Sequence, residues 1–231
     1  DNMAEGRWSE AKKRRIRDSR VKGTQLLANT LADLPDKPSV MVSASAIGYY
    51  GDRGSELLDE RSPMGEGFLA EVCRDWETAA RPACEAGSRV VHPRLGMVLA
   101  AEGGALPNML LPLKLAVGGV VGSGNQYWSW ISIDDVVQAT LFLLAEESMR
   151  GVVNLVAPEA HTNREFSTTL GRVMKRPAIP MPAFAARMML GEMADGLLLA
   201  SARVVPTELQ EHGFHYQHAK LEDTLRDLLK K

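Results

Sequence analysis

Several informative features are scarce in this chain of 231 residues. Cysteine occurs twice, at Cys73 and Cys84, with no Cys-x-x-Cys spacing, which argues against a zinc site and a disulfide framework. Both cysteines fall in an expected helix, where a free thiol acts as a small apolar side chain; this usage suits a reducing, cytoplasmic setting. No apolar run approaches the roughly 18 residues of a membrane span, and no signal peptide is expected. Lys and Arg number 27 against 29 Asp and Glu, a formal net charge of -2. Without a basic excess, binding to nucleic acid is not expected. The one basic cluster, Lys12 to Arg20, is interleaved with Asp18 and Ser19 and reads as a solvated helix face. The histidines show no metal spacing, because Gly213 breaks the rhythm of His212, His215 and His218. No Gly-x-Ser-x-Gly elbow occurs, so a hydrolase using Ser43 or Ser45 ranks last. A Gly-x-Gly-x-x-Gly turn is also missing.

What remains is an ordered alternation of elements. Residues 8–34 read as one long helix with Ile16, Val21, Leu26, Leu27, Leu31 and Leu34 at roughly helical spacing. Ser9 caps its start, and Pro35 with Pro38 stops it. The apolar run at 39–45 predicts a buried parallel strand. A polar loop over 52–67 leads to a helix over 68–87 that Pro82 ends or kinks. A strand over 89–100, interrupted at Pro93, precedes a glycine-rich connection with a short helical piece. "WISIDDVVQATLFLLAEE" begins as a strand and becomes a helix, with Asp134 and Asp135 in its first turn. Residues 151–158 form another strand ending in a turn. This order predicts an α/β fold with a doubly wound parallel sheet over residues 1–158. From residue 159 the texture changes to helices separated by prolines, a small, mainly helical C-terminal subdomain over 159–231.

Ligands of open parallel sheets bind beyond the carboxyl ends of the strands. Ser43 and Ser45, in "MVSASAIGYYGD", sit at such an end, although the hydroxyls could equally serve backbone groups there. The motifs around them carry a resemblance. "SASAIGYYG" resembles the strand-end segment of extended short-chain dehydrogenases/reductases that bears the catalytic Ser or Thr. "SRVKGTQLLA", "PRLGMVLA", "WISIDDVVQA" and "GVVNLVAP" resemble further segments of that superfamily in the same order. "GRWSEAKKRRIRDSR", "GGALPNMLLPLKLAVGGVVGSG", "QYWSWISIDD" and "RVVPTELQEHGFHYQHAKLEDTL" resemble its epimerase-like branch, so the likeness covers essentially the whole chain.

The resemblance implies a Rossmann-type domain that binds NADP or NAD, a polar, nucleotide-sugar-like substrate, and a homodimer formed through the helices at 8–34 and 68–87. Family members open with a glycine-rich strand-turn-helix, about two βα units of roughly 30 residues. That segment is not found here, and "DNMAEG" reads as a remnant of the strand end that follows it. The superfamily's Tyr-x-x-x-Lys pair falls near Phe68 or Leu69 and Val72 or Cys73, none of which moves a proton readily. The implied site therefore has Ser45 as catalytic residue, with Tyr49 and Tyr50 as substitute acid/base candidates or packing residues. Arg20, Ser43, Gly96 and Val98 are the cofactor candidates. Arg94, with pairing to Asp134 or Asp135 as its alternative, is a substrate-side candidate together with Gly122 in a glycine loop and Trp130 as a stacking or core residue. An enzyme and a catalytically silent cofactor-binding or scaffold protein both remain open on these residues.

Overall fold

The first helix, α1 (Glu10–Asp33), starts where the Ser9 side chain accepts from the Lys12 amide at 3.2 Å. It ends at Leu34, whose extended backbone precedes Pro35. Full burial of Ile16 on its inner face contributes about 2 kcal/mol. This computed structural model describes residue 3, residues 6–115 and residues 118–230. Most of the "DNMAEG" remnant, and positions 116–117 of the glycine-rich connection, lie outside the described residues.

After α1 come β1 (Val40–Val42), β2 (Ser45–Ala46), a 3-10 turn at Ile47–Tyr50 and β3 (Leu57–Leu58). The expected helix over 68–87 is two helices, α2 (Phe68–Thr78) and α3 (Arg81–Glu85). Pro82 explains the break: in a continuous helix its ring would strike the Thr78 carbonyl, so α2 stops there and Pro82 sits in the first turn of α3. Cys73 is buried on α2, whereas Cys84 is exposed on α3 and does not pack as a core residue.

Next are β4 (Arg89–Leu95), β5 (Met97–Leu99), α4 (Ala105–Lys114), β6 (Tyr127–Trp128), β7 (Trp130–Ser132), α5 (Ile133–Ala145) and β8 (Gly151–Leu155). β4 is central: β1 and β2 pair with one edge and β8 with the other, all parallel. Pro93 does not interrupt it. The Val91 carbonyl accepts from Ser43 N and pairing resumes in the same register at Ser45 and Arg94, so the N–H that Pro93 lacks opens a single rung between β1 and β2 while β8 stays paired on the other edge. The break comes at Gly96 instead. Gly96 N still donates to Leu155 O, while Met97 N donates to Ser129 O and starts the β5–β7 pairing.

The remaining chain supplies β9 (His161–Thr162), α6 (Asn163–Met174), α7 (Ala183–Leu190) and α8 (Glu192–Ala194), which runs into a π turn at Asp195–Leu199. β10 (Arg203–Val204), α9 (Thr207–Glu211) and α10 (Leu221–Leu228) complete it. One core cluster joins Trp130, Phe166, Leu170 and Leu225 from β7, α6 and α10. Another joins Val91, Ile131, Leu143 and Leu155 around the sheet.

Asp135 ties the end of the chain to the sheet. Its buried carboxylate accepts from the Ser132 hydroxyl at 2.8 Å, Gln217 N at 2.8 Å and His218 N at 3.1 Å. Asp135→Ala leaves three donors without an acceptor and is expected to lower stability by about 3 kcal/mol, with Asp135→Asn losing less. Urea unfolding midpoints of the two variants check this.

Candidate functional site

The strand ends Ala46 and Leu95, with Ser129 between β6 and β7, open onto a cleft of about 910 Å³. Gly96, Met97 and Val98 form its floor, and α2, α4, α6 and α7 supply its walls. A glycine is required at 96, because a Cβ there would lie 2.7 Å from Ser129 O and 2.8 Å from a Val156 methyl. Arg20 reaches the cleft from α1, its guanidinium 5.3 Å from the Trp76 ring centroid and its Nη1 donating to Ile16 O at 3.0 Å.

Beneath the cleft runs a chain of buried polar groups. The Ser45 hydroxyl donates to Glu77 Oε1 at 2.6 Å. Arg94 grips the same carboxylate with both arms, Nε to Oε1 at 2.8 Å and Nη2 to Oε2 at 2.9 Å. Its Nη1 donates to the Tyr50 hydroxyl at 3.1 Å, which donates in turn to Asn154 Oδ1 at 2.7 Å. Asn154 donates from its side chain to Val205 O and from its backbone to Glu60 Oε1, both at 3.0 Å. Tyr49 closes the network, its ring centroid 3.4 Å from Arg94 Cζ. Burial acts to lower the Arg94 pKa, but the Glu77 carboxylate and Tyr50 override it, so the net direction is up and the guanidinium stays charged. Burial also pushes the Tyr50 hydroxyl up to about 12 and the Cys73 thiol up to about 11.

These contacts bear on several sequence-based expectations, favouring the packing alternative for Tyr50 and the core alternative for Trp130. Tyr50 is fully buried with its hydroxyl spent on Arg94 and Asn154, so it is a core member and not an acid/base facing a ligand. Arg94 is 3% exposed and paired with Glu77, not with Asp134 or Asp135, which leaves no face for a substrate anion. Trp130 packs in the core and donates from its indole nitrogen to His161 at 3.1 Å, while its neighbour Trp128 lines the cleft. Gly122 lies in a turn with φ +61° that is tied to Met181, outside the cleft lining; Gly118 and Gly119 do line it. Ser43 is held in the ladder by Val91, and Ser45 lies just under the floor, 1% exposed. Tyr49 is half-buried against Arg94. Of the named candidates, Arg20, Gly96 and Val98 line the cleft. The places matching Tyr-Lys, Phe68, Leu69, Val72 and Cys73, line it too, without a group poised to move a proton. Glu77 is the partner of Ser45 and Arg94 that the sequence concealed; its signal was an acid on α2 one turn beyond Cys73.

A domain family described as "Domain of unknown function (DUF1731)" matches residues 181–228. An epimerase family protein of Mycobacterium leprae is 42% identical over 225 residues, covering 97% of this chain and 73% of the relative. The chain belongs to the epimerase family. This epimerase family protein has the Rossmann-type α/β architecture of solved relatives. Human epimerase family protein SDR39U1 (isoform 2), crystallised with NADPH, matches with a TM-score of 0.94 and 33% identity over 100% of this chain and 79% of that one. A nucleoside-diphosphate sugar epimerase from Corynebacterium glutamicum matches with a TM-score of 0.79 and 34% identity, over 97% and 44% of the two chains.

Tyr50 gives the network a pH signature. Its folded pKa lies above the ordinary value of 10, so its contribution is fully present below pH 10 and is lost as the pH climbs toward about 12. Tyr50→Phe is expected to cost about 2 kcal/mol at pH 7, because Asn154 and Arg94 lose a partner. The stability gap between the two proteins should shrink from pH 10 to 12 in urea titrations. Cys73 and Tyr216 are present in both, so the difference isolates Tyr50.

Proposed function

We propose that this protein binds NADP(H) or NAD(H) in the cleft and acts as an NAD(P)-dependent oxidoreductase of the epimerase type. The observation that carries the reading is the cleft itself, which opens beyond the carboxyl ends of parallel strands with a backbone floor at Gly96–Val98. The residues present fit the nicotinamide half of a dinucleotide: the floor is backbone at a required glycine, and Arg20 offers a charge for phosphate. NADPH in the human relative supports the choice of cofactor. The bound cofactor would supply hydride chemistry. Ser45, beneath the floor, would act by holding Glu77 and the buried network in place and not by direct contact with the ligand. We also propose a homodimer through α1 and α2, since α1 exposes Leu26 and Leu27.

A second reading is a catalytically silent cofactor-binding protein. It is favoured by the 2.6 Å bond that commits the Ser45 hydroxyl to Glu77 and by the aliphatic and thiol side chains at the Tyr-Lys places.

Titration with NADPH is expected to enhance cofactor fluorescence and raise the melting temperature. Arg20→Ala should weaken binding about tenfold, or about 1.4 kcal/mol. No change in either signal with the parent protein would sink the reading. Exchange of deuterium from labelled NADPH into candidate carbonyl compounds then separates the two readings, since the silent protein exchanges none.

A further inference from the structure

The cleft has two chemically different sides. Opposite the strand ends its wall is built of thioether and aliphatic side chains, among them Met109, Leu113, Leu170, Met181, Met189 and Leu198. Methionine side chains form an adaptable, polarisable apolar surface suited to irregular hydrophobic shapes. Further apolar side chains are exposed on the same helices: Leu111 on α4, Leu115 at its C-cap, and Phe184 and Met188 on α7 are each more than 60% exposed. Those helices also supply Met109, Leu113 and Met189 to the wall, so each carries an exposed apolar face besides the one that lines the cleft.

Charge points the same way. Among the described lining residues, the only cationic side chain is Arg20, against four acids: Asp52, Glu66, Glu192 and Asp195. Arg20 is the group already assigned to a cofactor phosphate. Glu192 is held by Lys13 at 2.8 Å and Asp195 by Arg187 at 2.8 Å. Asp52 accepts from Ser201 N at 3.1 Å. A nucleoside-diphosphate sugar brings a second pair of phosphates, and the described side chains lining the cleft offer them no cation beyond Arg20. Phosphate recognition needs Arg, Lys or converging backbone N–H groups.

We propose that the substrate side of the cleft takes an uncharged, mainly apolar molecule with no phosphate, in place of the polar nucleotide sugar that the family resemblance implies. Neutral hydrogen-bonding groups at the same cleft, Asn108 and Tyr127, suit one hydroxyl or carbonyl on an otherwise apolar frame. This inference rests on the reading of the cleft as a joint cofactor and substrate site.

The test is equilibrium binding to the 231-residue chain with NADPH present, using N-phenyl-1-naphthylamine as the neutral apolar probe and UDP-glucose as the competitor. The probe is expected to bind saturably, and millimolar UDP-glucose should not displace it. The near-isosteric double variant Met109→Gln, Met181→Gln should weaken the probe at least fivefold while its circular dichroism stays that of the parent. A variant that fails to fold leaves the competition in the parent protein to decide. Displacement by UDP-glucose, absence of probe binding, or probe affinity unmoved in the folded variant would each overturn the proposal. NADPH is followed separately by its own fluorescence. Probe binding without an NADPH signal contradicts the cofactor reading alone, and an NADPH signal without probe binding contradicts the apolar substrate alone.

Discussion

Two opposite charges buried against each other, Glu77 on α2 and Arg94 on β4, are the contact on which the site depends. Their side chains are 14% and 4% exposed, so each would carry a large desolvation cost without the other. The two-armed geometry fixes both side chains, and the remaining donors of Arg94 then orient Tyr50 and, through it, Asn154. Helix α2, the central strand and β8 are thereby locked in one register. Hydrophobic packing alone would tolerate small slips between these elements; a bidentate pair does not.

The same pair sets what the site can do. The Glu77 carboxylate draws the Ser45 hydroxyl inward, below the floor that Gly96 and Val98 present. Where the superfamily resemblance implies a tyrosine and a lysine, the wall carries Phe68, Leu69, Val72 and Cys73. The buried polar network thus lies beneath the cleft, whose floor is backbone and whose α2 wall is largely apolar. A bound cofactor would carry the hydride, but the matching proton at the substrate oxygen needs its own donor, and none of Phe68, Leu69, Val72 or Cys73 is poised to supply it.

The alternation of helices and buried strands was legible, because each helix bears local stop signals and each strand is a short apolar run. Ser9 and Pro35 set the ends of α1 within about two residues. Local signals misled where tertiary context overrode them: Pro93 reads as a strand breaker, yet it opens only one rung toward β1 and β2 while β8 holds the strand on the other edge. The serine strand and the glycine at 96 stood out from motif order. The partners of Ser45 did not, because Glu77, Arg94, Tyr50 and Asn154 are scattered along the chain and only the fold brings them within hydrogen-bonding distance. Burial was equally illegible for Tyr50, Arg94 and Trp130, each of which could have faced a ligand on pattern alone. The apolar wall from α4 and α7 reads in sequence as ordinary helix core.

The most direct measurement of the central claim is a double-mutant cycle on Glu77→Gln and Arg94→Met, with unfolding free energies for both singles and the double. The buried-pair account predicts that each single costs about 3 kcal/mol or more, and that the double costs less than their sum by about 2 kcal/mol or more. Additivity within about 0.5 kcal/mol would contradict it, and would mean that the sheet and α2 hold their register without the pair.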